Sequence, residues 1–323
     1  MQLKNDTNDQ VLYFIKSYFS NTNFNIKKLL GDAGDRDYYR VSTREKNYIL
    51  AKYSSDKQSI KRFIEIGDYL NKIGLNAPDI YYSDLKLGLI LMEDFGNQTI
   101  NKKLESSNLE QQNVIYKKLI DLLCFLRKEL PPLLLPKLTD KTLINELNIF
   151  IDYYLPYKYK KSISVAQKEE LYKILQEIFS KKHLFSNVIS LQDYHVDNIM
   201  LLDNKDSLRS LGLLDFQDAK LACPVYDLVS ILQDARIKVK QDRANYLLKY
   251  YSRQSGDDIE NIMTNYNILG MQRNSRILGV FSKKFIADNN KEYLHYIPLV
   301  EEYLRFNLKS PIMSKLKNWL DKL

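Results

Sequence analysis

The chain has 323 residues, 45% of them hydrophobic, enough for a large core in one big domain or two lobes. The polar opening "MQLKNDTNDQ" lacks the order of an export leader, and no run approaches about 18 uninterrupted apolar residues, so a cytoplasmic protein with no membrane partner is expected. The net charge of +8 comes from scattered lysines, whose densest groups ("YKYKK" at 157–161 and the tail from Lys309) fit solvated helix faces; no nucleic-acid partner is expected, and anionic small molecules such as nucleotides suit the sign.

In chain order, residues 11–20 have helical apolar spacing. "NYILAKYS" from Asn47 is strand-like, and "SIKRFIEIGDYLNKIG" (59–74) is an amphipathic helix closed by a glycine. "APDIYYSD" and "LGLILMEDFG" read as two more strands, the second apolar enough to be buried on both faces. After Gly96 the pattern is helical: 113–130, apolar round most of its circumference; 139–155, followed by Pro156; and 166–182. A small hairpin interrupts at 198–215, and helices resume through "YDLVSILQDAR", "RANYLLKYYS", "MTNYNILGMQRNSRILGVFSKKFI" and "YIPLVEEYLRFNL". The expectation is an α+β chain, a smaller mixed part (1–96) joined to a larger helical part (97–323). Cys124 and Cys223 stand among apolar residues without metal-ligand spacing and read as buried thiols of a reducing compartment.

The chemistry concentrates in "SLQDYHVDNIMLLDNKDSLRSLGLLDFQDA", Ser190 to Ala219. If "NIMLLD" and "SLGLLD" pair about a turn centred between Asp206 and Ser207, Asp203 faces Ser210 and Asn198 faces Asp215 at the hairpin's open end. Asp193 lies five residues before Asn198, in a loop able to curl over that end. An amide opposite a carboxylate makes an oxygen-ligand set suited to Mg²⁺, and Asp193 remains to accept a proton from a substrate hydroxyl. That is the division of labour of phosphoryl transfer from ATP, and D-x-x-x-x-N, hairpin, D-F follows the protein-kinase order. Asp and Asn also favour turns; three at this spacing beside apolar strands favour the site.

These residues resemble the aminoglycoside phosphotransferase family. "LQDYHVDNIMLL" is similar to its catalytic loop H-G-D-x-x-x-x-N, "GLLDFQDA" to its metal-binding strand end, and "ACPVYDLVSILQDAR" to its G-x-P-x-x-D-L segment. "GDAGDRDYYRV", "INELNIFIDYYL" and "GMQRNSRILGVFSKK" look more narrowly like the branch of bacterial N-acetylmuramate/N-acetylglucosamine anomeric kinases of cell-wall recycling. The resemblance runs over about residues 29–308 and implies a two-lobed, protein-kinase-like fold. It implies ATP and Mg²⁺ as cofactors, a small-molecule sugar substrate, and no obligate protein partner. Aminoglycoside or choline kinases are the enzymatic alternative, and a nucleotide-binding pseudokinase the non-catalytic one. Too few residues follow "LLDFQDA" for the activation loop of a protein kinase.

By this resemblance Asp193 is the base, Asn198 and Asp215 are the metal ligands, and Asp227 braces the catalytic loop. Leu191 stands at the family's usual His. His195 matches a common loop His, as a structural hydrogen-bonder or a proton-transfer group. Gly31 and Gly34 would bring backbone N–H groups to the phosphates. Lys52 is the one nearby candidate for the phosphate lysine, with Glu65 as its partner, although Ala51 occupies the pattern's lysine place. Glu93 and Phe95 would lend backbone groups to adenine. Glu146, Gln272 and Arg273 would meet the sugar, the Arg pairing with a substrate carboxylate or, alternatively, with an internal one.

Overall fold

The computed structural model describes residues 7–19, 23–29, 36–53, 57–132, 135–182, 188–202 and 207–323. Contact density divides the chain into two compact units, Met1–Lys103 with Asp197–Asp218, and Leu104–Val196 with Ala219–Leu323. The sequence expectation placed the division at residue 96 and the hairpin with the helical part.

In the first unit, helix α1 (Thr7–Phe19) precedes strands β1 (Asn25–Lys28), β2 (Arg36–Ser42) and β3 (Asn47–Tyr53), helix α2 (Lys57–Lys72), and strands β4 (Ile80–Asp84) and β5 (Leu89–Glu93). The strands form one antiparallel sheet in the order β1-β2-β3-β5-β4. Residues directly opposite in an antiparallel ladder share a face. Tyr39, Val41, Tyr48, Leu50, Leu89 and Leu91 therefore bury one face against Val11, Phe14 and Ile15 of α1. The other face carries Arg36 opposite Tyr53 and Tyr38 opposite Ala51. Helix α2 ends where Gly74, at φ +89, turns the chain back, as its sequence position requires.

Helix α3 (Ile100–Glu105) leads to the second unit: α4 (Leu109–Leu126), α5 (Asp140–Glu146), a π-helical turn (Phe150–Tyr154), α6 (Leu155–Tyr159) and α7 (Val165–Phe179). Reciprocal caps start α4 (Asn108 with Gln111) and α7 (Ser164 with Gln167). The single helix expected over 139–155 is thus three segments. Pro156 does not end it but sits in the first turn of α6, directly after the π turn.

Strands β6 (Val188–Ser190), β7 (Ile199–Leu201), β8 (Leu211–Leu213) and β9 (Lys220–Ala222) follow, then α8 (Tyr226–Leu232), α9 (Gln241–Ser255), α10 (Ile259–Asp288), α11 (Ile297–Asn307) and α12 (Ser314–Leu320). In the helical unit β6 pairs with β9, a ladder of three residues per strand too short to show as a period. The thirty residues of α10 pack on the π turn through Gly279, where an added Cβ would lie 2.5 Å from the Phe150 backbone nitrogen. Cys124 and Cys223 are buried free thiols, both pushed up to about 11 by burial. Among the described residues no helix is long and apolar enough to cross a membrane.

The hairpin pairs as expected but one residue out of register. Ile199 faces Leu213 and Leu201 faces Leu211, so Asn198 comes opposite Leu214, whose N–H donates to its carbonyl at 2.9 Å. Ser207, at φ +61, opens a one-turn 3-10 helix through Ser210, and the Leu202 N–H donates to the Ser210 carbonyl at 2.8 Å. An evenly folded turn, as assumed from the sequence, does not anticipate that geometry.

Candidate active site

In the helical unit, the loop from Ser190 to Val196 is tied down at both ends by buried carboxylates. Asp227, at the start of α8, accepts the Ser190 hydroxyl (2.8 Å) and the N–H groups of Leu191 (2.7 Å) and Gln192 (3.1 Å). Burial pushes its carboxyl up to about 6 against the lowering effect of these donors. Asp234 accepts the Val196 N–H at 3.0 Å, and its other oxygen takes the N–H of Arg236. Between these anchors Gln192 adopts φ +67, and the N–H groups of Asp193 and His195 donate to the carbonyls of Leu191 and Asp193, closing a tight local winding. Tyr194 points into the core and donates to the Leu119 carbonyl. The Leu191 side chain is buried while its backbone N–H meets Asp227. His195 is buried as well.

In the sheet unit, Asn198 and Asp215 come together at the open end of the β7–β8 hairpin. Asp215 does not face Asn198 in the ladder. It lies one residue beyond it at φ +56, a conformation Asp tolerates better than most residues. Its Oδ1 accepts from Arg36 Nη1 at 2.6 Å and from Gln217 Nε2 at 2.9 Å. Phe216 then buries itself on Phe63 of α2, with ring centroids 4.7 Å apart. An amide and a carboxylate are the hard oxygen donors Mg²⁺ takes, and the carboxylate already holds a cationic partner in Arg36. Among the described residues no cluster of three or more His, Cys, Asp or Glu is placed to hold a metal. Two protein oxygens, the remaining ligands coming from water and phosphate, are the usual Mg²⁺ arrangement, so the residues present fit that ion.

The nucleotide residues divide differently. Gly31 and Gly34 lie outside the described residues. Lys52 is opposite Asp37 and Leu89, on the α1 face of the sheet, whereas Ala51 lies on the other face opposite Tyr38 and Ile90. Glu65 pairs with Lys61 one turn back on α2, not with Lys52. At the end of β5 the Glu93 N–H donates to the Asp79 carbonyl at 2.9 Å, which removes that donor from a purine. Arg40 clasps this strand end through Asp94 (2.6 Å), Asn97 (2.8 Å) and the Gly96 carbonyl (3.0 Å). The ring of Phe95 lies against Gly212, where a Cβ would come within 2.6 Å of it.

The three acceptor candidates gather in the helical unit. Glu146, the last residue of α5, accepts from Gln272 Nε2 at 3.1 Å and lies 3.8 Å from the Arg276 Nε and 3.9 Å from the Lys220 ammonium. Gln272 is fully buried and Arg273 is 4% exposed. Gln272 Oε1 and the Nε and Nη1 of Arg273 have no hydrogen-bond partner among the described residues. Burial lowers the Arg273 guanidinium from its usual range, opposed by Tyr226, Asp193 and Asp234. Arg276 is raised, chiefly by Tyr226, with Asp193 and Glu146 adding to it. A groove on the same unit, lined by Tyr154, Lys158, Glu301 and Arg305, contains none of these residues.

Sequence reading missed Asp234, Arg276 and Arg36. Arg276 carried a usable signal, since it follows Gln272 by four positions and Arg273 by three, one helix face. Asp234 was marked by its place at the end of the apolar run "LVSILQ". Arg36 gave no comparable sign, because its significance depends on which face of β2 it occupies.

Comparison with known proteins bears on this arrangement. The pattern of the phosphotransferase enzyme family, APH, matches residues 25–260. An N-acetylmuramate/N-acetylglucosamine kinase of Caulobacter vibrioides is 28% identical, the match covering 92% of this chain and 91% of that protein. The enzyme of the same name from Neisseria meningitidis serogroup B is 22% identical over 90% of this chain and 88% of its own length. Among solved structures, the GDP complex of aminoglycoside 2'-phosphotransferase-IIIa matches with a TM-score of 0.66 at 14% identity, covering 94% of this chain and all of that one. The choline kinase LicA of Streptococcus pneumoniae matches with a TM-score of 0.65 at 15% identity over the same shares. The protein-kinase-like fold expected from the sequence is therefore the fold present, and the chain belongs to the APH phosphotransferase enzyme family, a phosphotransferase with a hydroxyl acceptor.

Proposed function

We propose that the protein transfers the γ-phosphoryl group of ATP to a hydroxyl of an N-acetylated amino sugar, the anomeric hydroxyl of N-acetylmuramate or N-acetylglucosamine, as in cell-wall recycling. The supporting observation is the polar cluster of Glu146, Gln272, Arg273 and Arg276, whose two guanidiniums both feel the charge of Asp193. Relatives named for that activity, at 22–28% identity over most of the chain, support the same reading.

In this reading Asp193 accepts the proton of the attacking hydroxyl as its oxygen bonds to the γ-phosphorus and the bond from that phosphorus to the β,γ-bridging oxygen breaks, releasing ADP. Asn198 and Asp215 hold Mg²⁺, which supplies neutralisation of phosphate charge when bound. Arg273 and Arg276 offer planar guanidiniums to an anionic or carbonyl oxygen of the acceptor, such as a lactyl carboxylate, and Glu146 takes a sugar hydroxyl. Asp227 and Asp234 keep the Asp193 loop in one conformation, so the base is held rather than recruited.

The test is ADP release with Mg-ATP over N-acetylmuramate, N-acetylglucosamine, choline and kanamycin. Turnover on an N-acetyl amino sugar, reduced about 10²–10⁴-fold in Asp193→Asn, is expected. Turnover only on choline or kanamycin would discard the sugar assignment, and ATP binding without turnover on any acceptor would favour the pseudokinase.

A further inference from the structure

The β3 strand lacks a cation where the fold's phosphate-binding lysine is expected. Ala51 occupies that place and is fully buried, and the neighbouring Lys52 belongs to the opposite face, beside Asp37, which itself pairs with Lys28. A one-residue step along a strand reverses the side chain, so Lys52 reaches the Ala51 face only if the strand slips by one. Slippage would expose Leu50 and its row of core partners on α1.

A cation is nonetheless present on the Ala51 face, supplied by the next strand. Arg36 lies on β2 opposite Tyr53, two residues from Tyr38, which is itself opposite Ala51. Its guanidinium carbon lies 5.6 Å from the Tyr53 ring centroid, Nη1 donates to the Tyr38 hydroxyl at 3.4 Å and to Asp215 Oδ1 at 2.6 Å, and its side chain is 23% exposed. Arg36 is thus an oriented cation whose reach ends at the carboxylate placed to hold the phosphate-bound metal. A guanidinium has five N–H donors in a fixed fork, so it can bridge a carboxylate and a phosphate oxygen together, which a lysine ammonium does less selectively.

We infer that Arg36 is the phosphate-contacting cation of the nucleotide site, doing from β2 what a lysine at position 51 of β3 would otherwise do. The inference rests on the proposed use of ATP. It also accounts for the ion pair: the same group neutralises Asp215, a half-buried carboxylate at the hairpin end.

The test is calorimetric titration of wild type, Arg36→Met, Arg36→Lys, Lys52→Met and Arg36→Met/Ala51→Lys with ATP and with adenosine, each in Mg²⁺ and in EDTA. Removing one charge-assisted contact should weaken ATP about 10- to 100-fold in Arg36→Met. Adenosine affinity should stay within about twofold, because the base and ribose do not meet this group. The loss should persist in EDTA, where Asp215 has no metal to position. Arg36→Lys should fall between, and Ala51→Lys should recover part of the affinity, which a misfolded variant could not. Wild-type ATP affinity in Arg36→Met, an equal loss in Lys52→Met, or a loss seen only with Mg²⁺ would each overturn the phosphate role. Failure of wild type to bind ATP under either condition would instead overturn the proposed use of ATP, and this inference with it.

Discussion

The Asp227 carboxylate takes the Leu191 N–H at 2.7 Å inside a fully enclosed site, so the residue that replaces the family's histidine is held through its backbone. The loop carrying Asp193 therefore depends on a single buried charge at one end. Burial lifts that carboxyl to about 6, above the ~3.9 of an unfolded Asp.

The sign of the pH dependence follows. Because the folded-state pKa is raised, the native protein binds the proton more tightly between about pH 4 and 6; the stability this gives is complete below pH 4 and lost as pH rises through 6. Activity runs the opposite way, since only the ionised carboxylate can accept from three donors. We expect kcat to fall as pH drops through about 6, and Asp227→Asn to lower kcat and remove that limb. Chemical-denaturation midpoints at pH 4.5 and 7, compared between wild type and Asp227→Asn, check the stability half.

Gly279→Ala should destabilise the helical unit by about 1–3 kcal/mol, because the new methyl meets backbone of Ile149 and Phe150 that cannot rotate away. Thermal unfolding measures it. An unchanged melting temperature would mean that α10 and the π turn are farther apart than their backbones indicate.

Gly212→Ala has a different expected signature. Its Cβ would strike the Phe95 ring, a side chain that can move, so the cost in stability should be smaller than at Gly279. If Phe95 borders the nucleotide, KM for ATP should rise several-fold while KM for the acceptor holds. Steady-state kinetics with each substrate varied separates the two.

Arg276→Met should raise KM for the acceptor about tenfold with KM for ATP unchanged, the loss of one charge-assisted contact. Glu146→Gln should do less, since an amide keeps an oxygen for the Gln272 side chain. Equal effects on both substrates would place the cluster outside the acceptor site.

The sequence made β3, β4, β5, α1 and the long helices readable through their apolar patterns, but not β1, whose four residues are all exposed or half-exposed, nor the packing of α1 on the sheet. The same period marked β7 and β8 but not their register, which no apolar pattern records. The β6–β9 ladder was too short to have a period at all. At the site, the candidates named from the sequence were those carried by motifs, such as Asp193 and Asn198 five residues apart and Asp215 at the end of an apolar strand. Arg36 and Asp215 are 179 residues apart, and their meeting depends on a strand face, which a list of motifs does not contain.

The π turn at Phe150–Tyr154 winds one residue more into its length than an α-helix would. It therefore behaves as a small insertion stored inside a helix, shifting the angular phase of Leu155–Tyr159 relative to Asp140–Glu146 without lengthening a loop. A relative whose helix is wholly α here would align with a one-residue gap in this stretch, and that gap would fall between two helical segments that both look uninterrupted.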